Sequence, residues 1–144
     1  MECYTRGRNM VEENTINLLE GVEKQKNNDL IIFTTFTFDP IFFDGYILRK
    51  LKKNNPKALI IILIDAKMYS KLGDNFTRET GVEYALIPIA GNLFHSKIFL
   101  FASKSKKQVF LGSHNLTLTG FTQNLELSFD SDDDLVTDDC INYV

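Results

Sequence analysis

Tryptophan is absent from this 144-residue chain, which has only two cysteines, three prolines and two histidines. Each scarcity excludes something. Cys3 and Cys140 lie near opposite ends, too few for a disulfide scaffold and wrongly spaced for a zinc site. With so few cysteines and no secretory signal pattern, the expected compartment is the cytoplasm. The longest apolar run, Ala58 to Ile64, is far short of the ~20 residues that span a membrane, so no membrane partner is expected. Hydrophobic residues at 44% and charged residues at 24% match an ordinary globular protein, which excludes a disordered chain, a collagen or a coiled coil. The length suits one domain. Twelve phenylalanines supply most of the aromatic bulk.

The net charge of −3 hides an asymmetry. Residues 130–144 hold six aspartates and no Lys or Arg, whereas residues 1–129 carry 16 basic against 13 acidic groups. The chain divides into a mildly basic body, 1–129, and an acidic C-terminal tail, 130–144. A mildly basic body permits a polyanionic partner without demanding one. The tail reads as a solvated acidic end or as a competitor of nucleic acid for the basic face. It lacks the body's hydrophobic pattern, so it is expected to be largely dispensable for folding.

Along the body, helical and extended patterns alternate. Val11 to Lys26 spaces Val11, Ile16, Leu18, Leu19 and Val22 as an amphipathic helix. Asp29 to Phe38 is β-branched and aromatic and reads as a strand. Asp39-Pro40 opens a second helix, as N-cap and first helical residue, that ends at Asn54-Asn55-Pro56. Ala58 to Ile64 reads as a strand buried on both faces. Asp65 to Gly73 suits a short helix or ordered loop. Strands follow at Tyr84–Ile89, His95–Ala102 and Gln108–Gly112, the last two joined by the lysine-rich turn Ser103–Lys107. Asn115–Phe121 reads as a turn or short helix and Leu125–Phe129 as a last strand. The predicted fold class is α/β, a mixed β-sheet flanked by helices.

Both histidines, His95 and His114, fall in one stretch. On a strand, residues two apart share a face, so His95 and Lys97 point the same way. The next strand ends in Gly112-Ser113, with Asn115 just beyond. If the two strands pair as a hairpin, Ser-x-Asn returns to His-x-Lys. An imidazole, an ammonium, a hydroxyl and a carboxamide then meet: a nucleophile or base with three donors, which suits a phosphate diester. No pair of carboxylates adjoins the set, so no metal is expected there. Each residue also has an ordinary reading. Asn115 suits a turn, Glu126 a strand edge, and His114 the rim of the site. Lys104, Lys106 and Lys107 suit a soluble hairpin tip or a phosphate-backbone contact. Asp65 sits at a strand end, where ligand sites of α/β proteins gather, but nothing else in the sequence supports a role for it.

His-x-Lys followed by Gly-Ser-x-Asn resembles the half-motif of the phospholipase D superfamily. The form Gly112-Ser-His-Asn-Leu-Thr117, with Gly120-Phe121 and Glu126 beyond, is most similar to its nuclease and restriction-endonuclease branch. Two departures stand out. The family places Asp five residues after the Lys, where this chain has Ala102. The Lys-to-Asn gap is also three residues longer than the commonest spacing, which the Lys-rich turn absorbs. The resemblance implies a phospholipase D-like fold and a metal-independent phosphodiesterase without a cofactor. It casts His95 as nucleophile forming a phosphohistidine. Lys97 and Asn115 hold the non-bridging oxygens, Ser113 is a weaker substrate donor, and Glu126 is the carboxylate that orients the imidazole. The mechanism needs two such motifs and the chain has one. A homodimer with a shared site is therefore implied, with Phe94, Leu116 and Phe121 as packing groups. The expected partner is nucleic acid, with DNA favoured over RNA. The competing reading is a non-catalytic nucleic-acid-binding or dimerisation module of a larger restriction or helicase protein.

Overall fold

In a computed structural model of the chain, residues 19–73, 83–90, 97–113, 115–122 and 128–143 are described. Six strands form one mixed sheet in the order β3-β2-β1-β4-β5-β6. They are β1 (Leu30–Thr35), β2 (Leu59–Asp65), β3 (Ala85–Ile89), β4 (Lys97–Ala102), β5 (Lys107–Gly112) and β6 (Ser128–Ser131). β1, β2 and β3 run parallel, and β4, β5 and β6 join as antiparallel neighbours. The chain steps outward from β1 through β2 to β3, then returns to the other side of β1. β1 is therefore the strand at which the order reverses, where ligand crevices form in open α/β sheets. Pro88 lies in β3, an edge strand, where its missing donor is tolerated.

The helices follow their sequence signals. Residues 19–23 are helical (α1); the earlier part of that predicted helix lies outside the described residues. α2 runs through Pro40–Phe42, a π-helical stretch Phe43–Leu48, and Arg49–Asn54. Asp39 caps it, its carboxylate accepting from the Phe42 N–H at 3.1 Å, and Asn55 closes it. α3 (Ala66–Tyr69) is capped by Asp65, which accepts from Lys67 N at 2.9 Å and Met68 N at 3.3 Å. α4 is Leu118–Thr122 and α5 is Asp134–Tyr143. No described helix is long and apolar enough to cross a membrane.

The alternation of each strand splits the core in two. Ile31, Phe33, Phe99, Phe101 and Phe110 face one side, against Val22 of α1 and Phe42, Phe43, Ile47 and Leu51 of α2. Phe33 is the hub, with edge-to-face contacts to Phe43, Phe99 and Phe101 at centroid distances of 5.6, 5.1 and 5.8 Å. Such pairs add about 0.5–1.5 kcal/mol each to area burial. Without tryptophan, these interlocked rings fill the layer. On the opposite side, Ile98, Leu100 and Val109 pack with Cys140 and, partly buried, with Ile32, Leu111 and Val136.

That second layer overturns one expectation. Residues 130–144 were expected to be largely dispensable for folding. Instead they supply the end of β6, and α5 packs on β4 and β5. Val136, Thr137 and Cys140 form a narrow inward stripe among the aspartates: Thr137 is fully buried and Cys140 is 8% exposed. Asp138 pairs with Lys107 at 2.5 Å and holds that ammonium's pKa above the usual lysine value. The last strand also runs to Ser131 rather than ending at Phe129.

Candidate active site

One end of the sheet gathers the residues of interest. Lys97 lies directly opposite Gly112 in the β4–β5 register. The hairpin expected from the sequence therefore forms, and it returns Gly112-Ser113 to the start of β4. Gly112 has no side chain, so the β5 residue paired with Lys97 contributes backbone alone. Lys97 is half-buried, on the face of Phe99 and Phe101, and Ser113 is exposed at the strand end.

β1 supplies the anchor. Its last two residues, Thr34 and Thr35, are fully buried hydroxyls. Thr34 Oγ1 accepts from the N–H of Ile98, the residue after Lys97, at 2.7 Å. Thr35 Oγ1 accepts from the N–H of Leu116, the residue after Asn115, at 3.0 Å. Consecutive threonines thus hold the neighbours of both motif residues. The Thr35 proton goes to Thr37 O at 2.5 Å, so its 3.4 Å contact with Asn115 Oδ1 is secondary.

Asn115 is the second pin. Its Oδ1 accepts from the backbone N–H groups of Phe36 and Thr37 at 3.1 and 3.3 Å. β1 therefore ends at Thr35 rather than Phe38, because those N–H groups turn away from the ladder toward the carboxamide. The pairing resumes in a bridge between Phe38 and Leu116, and Asp39 N donates to Leu116 O at 2.9 Å. With Oδ1 committed to donors, the Asn115 carboxamide offers only the two N–H bonds of Nδ2 to a ligand. An amide N–H and an ammonium, the two donor types that Asn115 and Lys97 carry, are both suited to an anion.

Gly120 tightens the same loop. A Cβ there would come within 2.6 Å of the backbone oxygen of Asn115, closer than real contacts allow, and a tight 3.0 Å from Thr117 Oγ1. The glycine of the Gly-Phe pair is thus required by the fold of the Asn115 turn. Gly120 belongs to the motif seen in the sequence, whereas the Thr34-Thr35 pair does not. The available signal was two adjacent hydroxyls ending an otherwise apolar strand.

Several expectations resolve differently. Asp65, at a strand end, is 5% exposed and acts as the α3 cap. Leu116, expected as a dimer packing group, is fully buried in its own core. It cannot face a partner because Thr35 and Asp39 bind its backbone and draw it inward. Leu118, two residues on, is 43% exposed. His95, Glu126, His114 and Phe94 lie outside the described residues, as does the side chain of Phe121.

Thr35→Val keeps the shape but leaves the buried Leu116 N–H without its acceptor. The expected loss of unfolding free energy is about 1–3 kcal/mol. Thr119→Val, at an exposed position of α4, is expected to stay within about 0.5 kcal/mol. Urea midpoints of the two variants make the comparison, and equal midpoints would contradict the anchoring role.

No family model and no curated protein matches this sequence. Solved structures do match. NucT from Helicobacter pylori superposes with a TM-score of 0.65 at 15% identity, over 93% of this chain and 87% of that one. Nuc, a phospholipase D family member from Salmonella typhimurium, gives 0.61 at 15% identity over 89% and 82%. Yeast tyrosyl-DNA phosphodiesterase gives 0.53 at 16% identity, over 78% of this chain and 26% of that larger one. At these identities the likeness is one of fold: the chain has the phospholipase D-like α/β fold.

Proposed function

We propose that the chain is a metal-independent phosphodiesterase that cleaves nucleic acid, DNA in preference to RNA, in a homodimer with a shared active site. The observation that carries this reading is the β4–β5 register, which sets Lys97 opposite Gly112. It brings Lys97 of the His-x-Lys pattern and Gly112 of the Gly-Ser-x-Asn pattern to one sheet end. The shared fold with Nuc and tyrosyl-DNA phosphodiesterase supports it. Fold alone does not settle chemistry, so the residues must bear the argument.

In the proposed reaction, an imidazole nitrogen of His95 attacks phosphorus. A P–N bond forms as the P–O bond to the leaving strand breaks. His95 of the partner subunit gives its proton to the departing oxygen. Water then attacks the phosphohistidine, the P–N bond breaks, and the partner's His95 takes the proton from that water. Lys97 and the Asn115 Nδ2 group hold the non-bridging oxygens, with Ser113 as a weaker donor. Glu126 accepts from the far imidazole nitrogen and fixes the tautomer.

Because an ammonium and an amide neutralise the phosphate charge, no metal is required. Cleavage of a labelled oligonucleotide is expected to proceed unchanged in excess EDTA. Activity lost in EDTA and restored by magnesium would refute the mechanism. The competing reading, a non-catalytic binding module, predicts binding of the same oligonucleotide with no cleavage under either condition.

A further inference from the structure

The end of the sheet opposite the candidate site concentrates positive charge. Residues 24–29, 49–57 and 103–107 contain ten of the 16 Lys and Arg residues but only one of the 19 acidic ones, Asp29. The remainder of the chain therefore holds six basic against 18 acidic groups. These segments are the entries to β1 and β2 and the β4–β5 turn, which lie side by side in the strand order.

A polar network knits them together. Asn28 N and Asn28 Nδ2 both donate to Asn55 Oδ1, at 2.9 and 3.1 Å, and Asn55 Nδ2 donates to Gln25 O at 2.9 Å. Gln25 Nε2 donates to Gln108 Oε1 at 2.8 Å, and Asp29 N to Ala102 O at 2.8 Å. Asn28, Asn55 and Gln25 are all buried. The lysine-bearing loops are thus fixed relative to one another by satisfied buried groups.

Three cations have described carboxylate partners. Lys24 pairs with Glu20, Lys50 with Glu23, and Lys107 with Asp138. Lys26, Lys53, Lys57, Lys104 and Lys106 are exposed, and no described carboxylate forms an ion pair with them. The negative end of the α2 dipole accounts for Lys53, but not for lysines on three separate loops.

We infer that this basic edge is a second nucleic-acid contact, which grips the phosphate backbone away from the scissile bond. The nucleic-acid occupant rests on the proposed function. β4 alone separates the two ends by about 17 Å at ~3.3 Å per residue. Across the edge, the β2, β1, β4 and β5 positions span about 14 Å at ~4.8 Å per strand. One strand of duplex presents a phosphate every ~3.4 Å of axis, so about four phosphates match that width. A membrane surface fits less well, because apolar anchors usually accompany its lysines. No large apolar side chain is exposed within the three loops, and Leu59, at the start of β2, is the nearest.

The test is fluorescence anisotropy with a labelled DNA duplex, using the full chain. Lys26→Ala/Lys53→Ala/Lys104→Ala is expected to weaken binding at low salt at least about tenfold. It should also flatten the plot of log affinity against log salt by about 2–3, near 0.9 per lost phosphate contact. Asp138→Asn, which releases Lys107, is expected to tighten binding about threefold. Unchanged affinity and slope in the triple variant would overturn the inference. So would lysine-dependent binding to phosphatidylglycerol-containing vesicles with none to DNA. Binding needs no turnover, so a chain that binds through this edge but cleaves nothing would refute the nuclease reading alone.

Discussion

His95→Ala is expected to reduce phosphodiester cleavage by about 10⁴-fold or more, the scale on which removing a covalent nucleophile acts. The far-UV circular dichroism spectrum and the urea midpoint should stay near those of the unaltered protein. The expectation follows from the proposed division of labour. In it, Lys97 and Asn115 bind and polarise the phosphate and do not attack it. The attacking group is the imidazole. Its product has a distinctive chemistry, since a P–N bond is labile in acid and stable in alkali. Brief incubation with ³²P-labelled substrate should therefore leave an alkali-stable, acid-labile label on the protein. The label should be absent in His95→Ala. Cleavage near the normal rate in that variant would move the nucleophile elsewhere.

Much of this was legible in the sequence where a local signal and the tertiary environment agree. Asp39-Pro40 and Asn54-Asn55-Pro56 bound α2 because capping and the proline restriction are local effects. The run Ala58 to Ile64 reads as a buried strand, and the strand observed there, Leu59–Asp65, lies between two others. The return of Gly112-Ser113 to Lys97 follows from two strand patterns and a polar turn. Other features had no local signature. Thr34 and Thr35 look like ordinary β-branched strand residues. Only pairing with β4 and the Asn115 turn makes their hydroxyls acceptors for Ile98 and Leu116. The docking of α5 was obscured by charge: five of the ten residues from Asp134 to Tyr143 are Asp, Thr or Asn, yet Val136, Thr137 and Cys140 suffice to bury one stripe. Leu116 was misassigned to an interface because exposure was inferred from its place next to the motif.

Adding inactive His95→Ala subunits to the unaltered protein is expected to lower activity per unaltered subunit. The chain carries one His-x-Lys and one Gly-Ser-x-Asn, whereas the proposed chemistry needs one imidazole to attack and another to protonate the leaving oxygen. A two-fold axis through the site supplies both, and the interface is isologous. Every dimer then has one composite centre, and a mixed dimer lacks one of its two imidazoles. After random exchange at equal amounts, about one dimer in four is fully unaltered under two-fold pairing. That leaves about half the activity per unaltered subunit. Independent protomer sites would leave it unchanged, because each intact chain would keep its own centre. Subunits can be exchanged by joint unfolding and refolding, and sedimentation of the mixture checks that dimers have reformed. A full-rate monomer at assay concentration would refute the shared site. Leu118, exposed beside the Asn115 turn, gives a second handle: Leu118→Asp is expected to weaken the dimer and lower activity, and raising the protein concentration should recover both together.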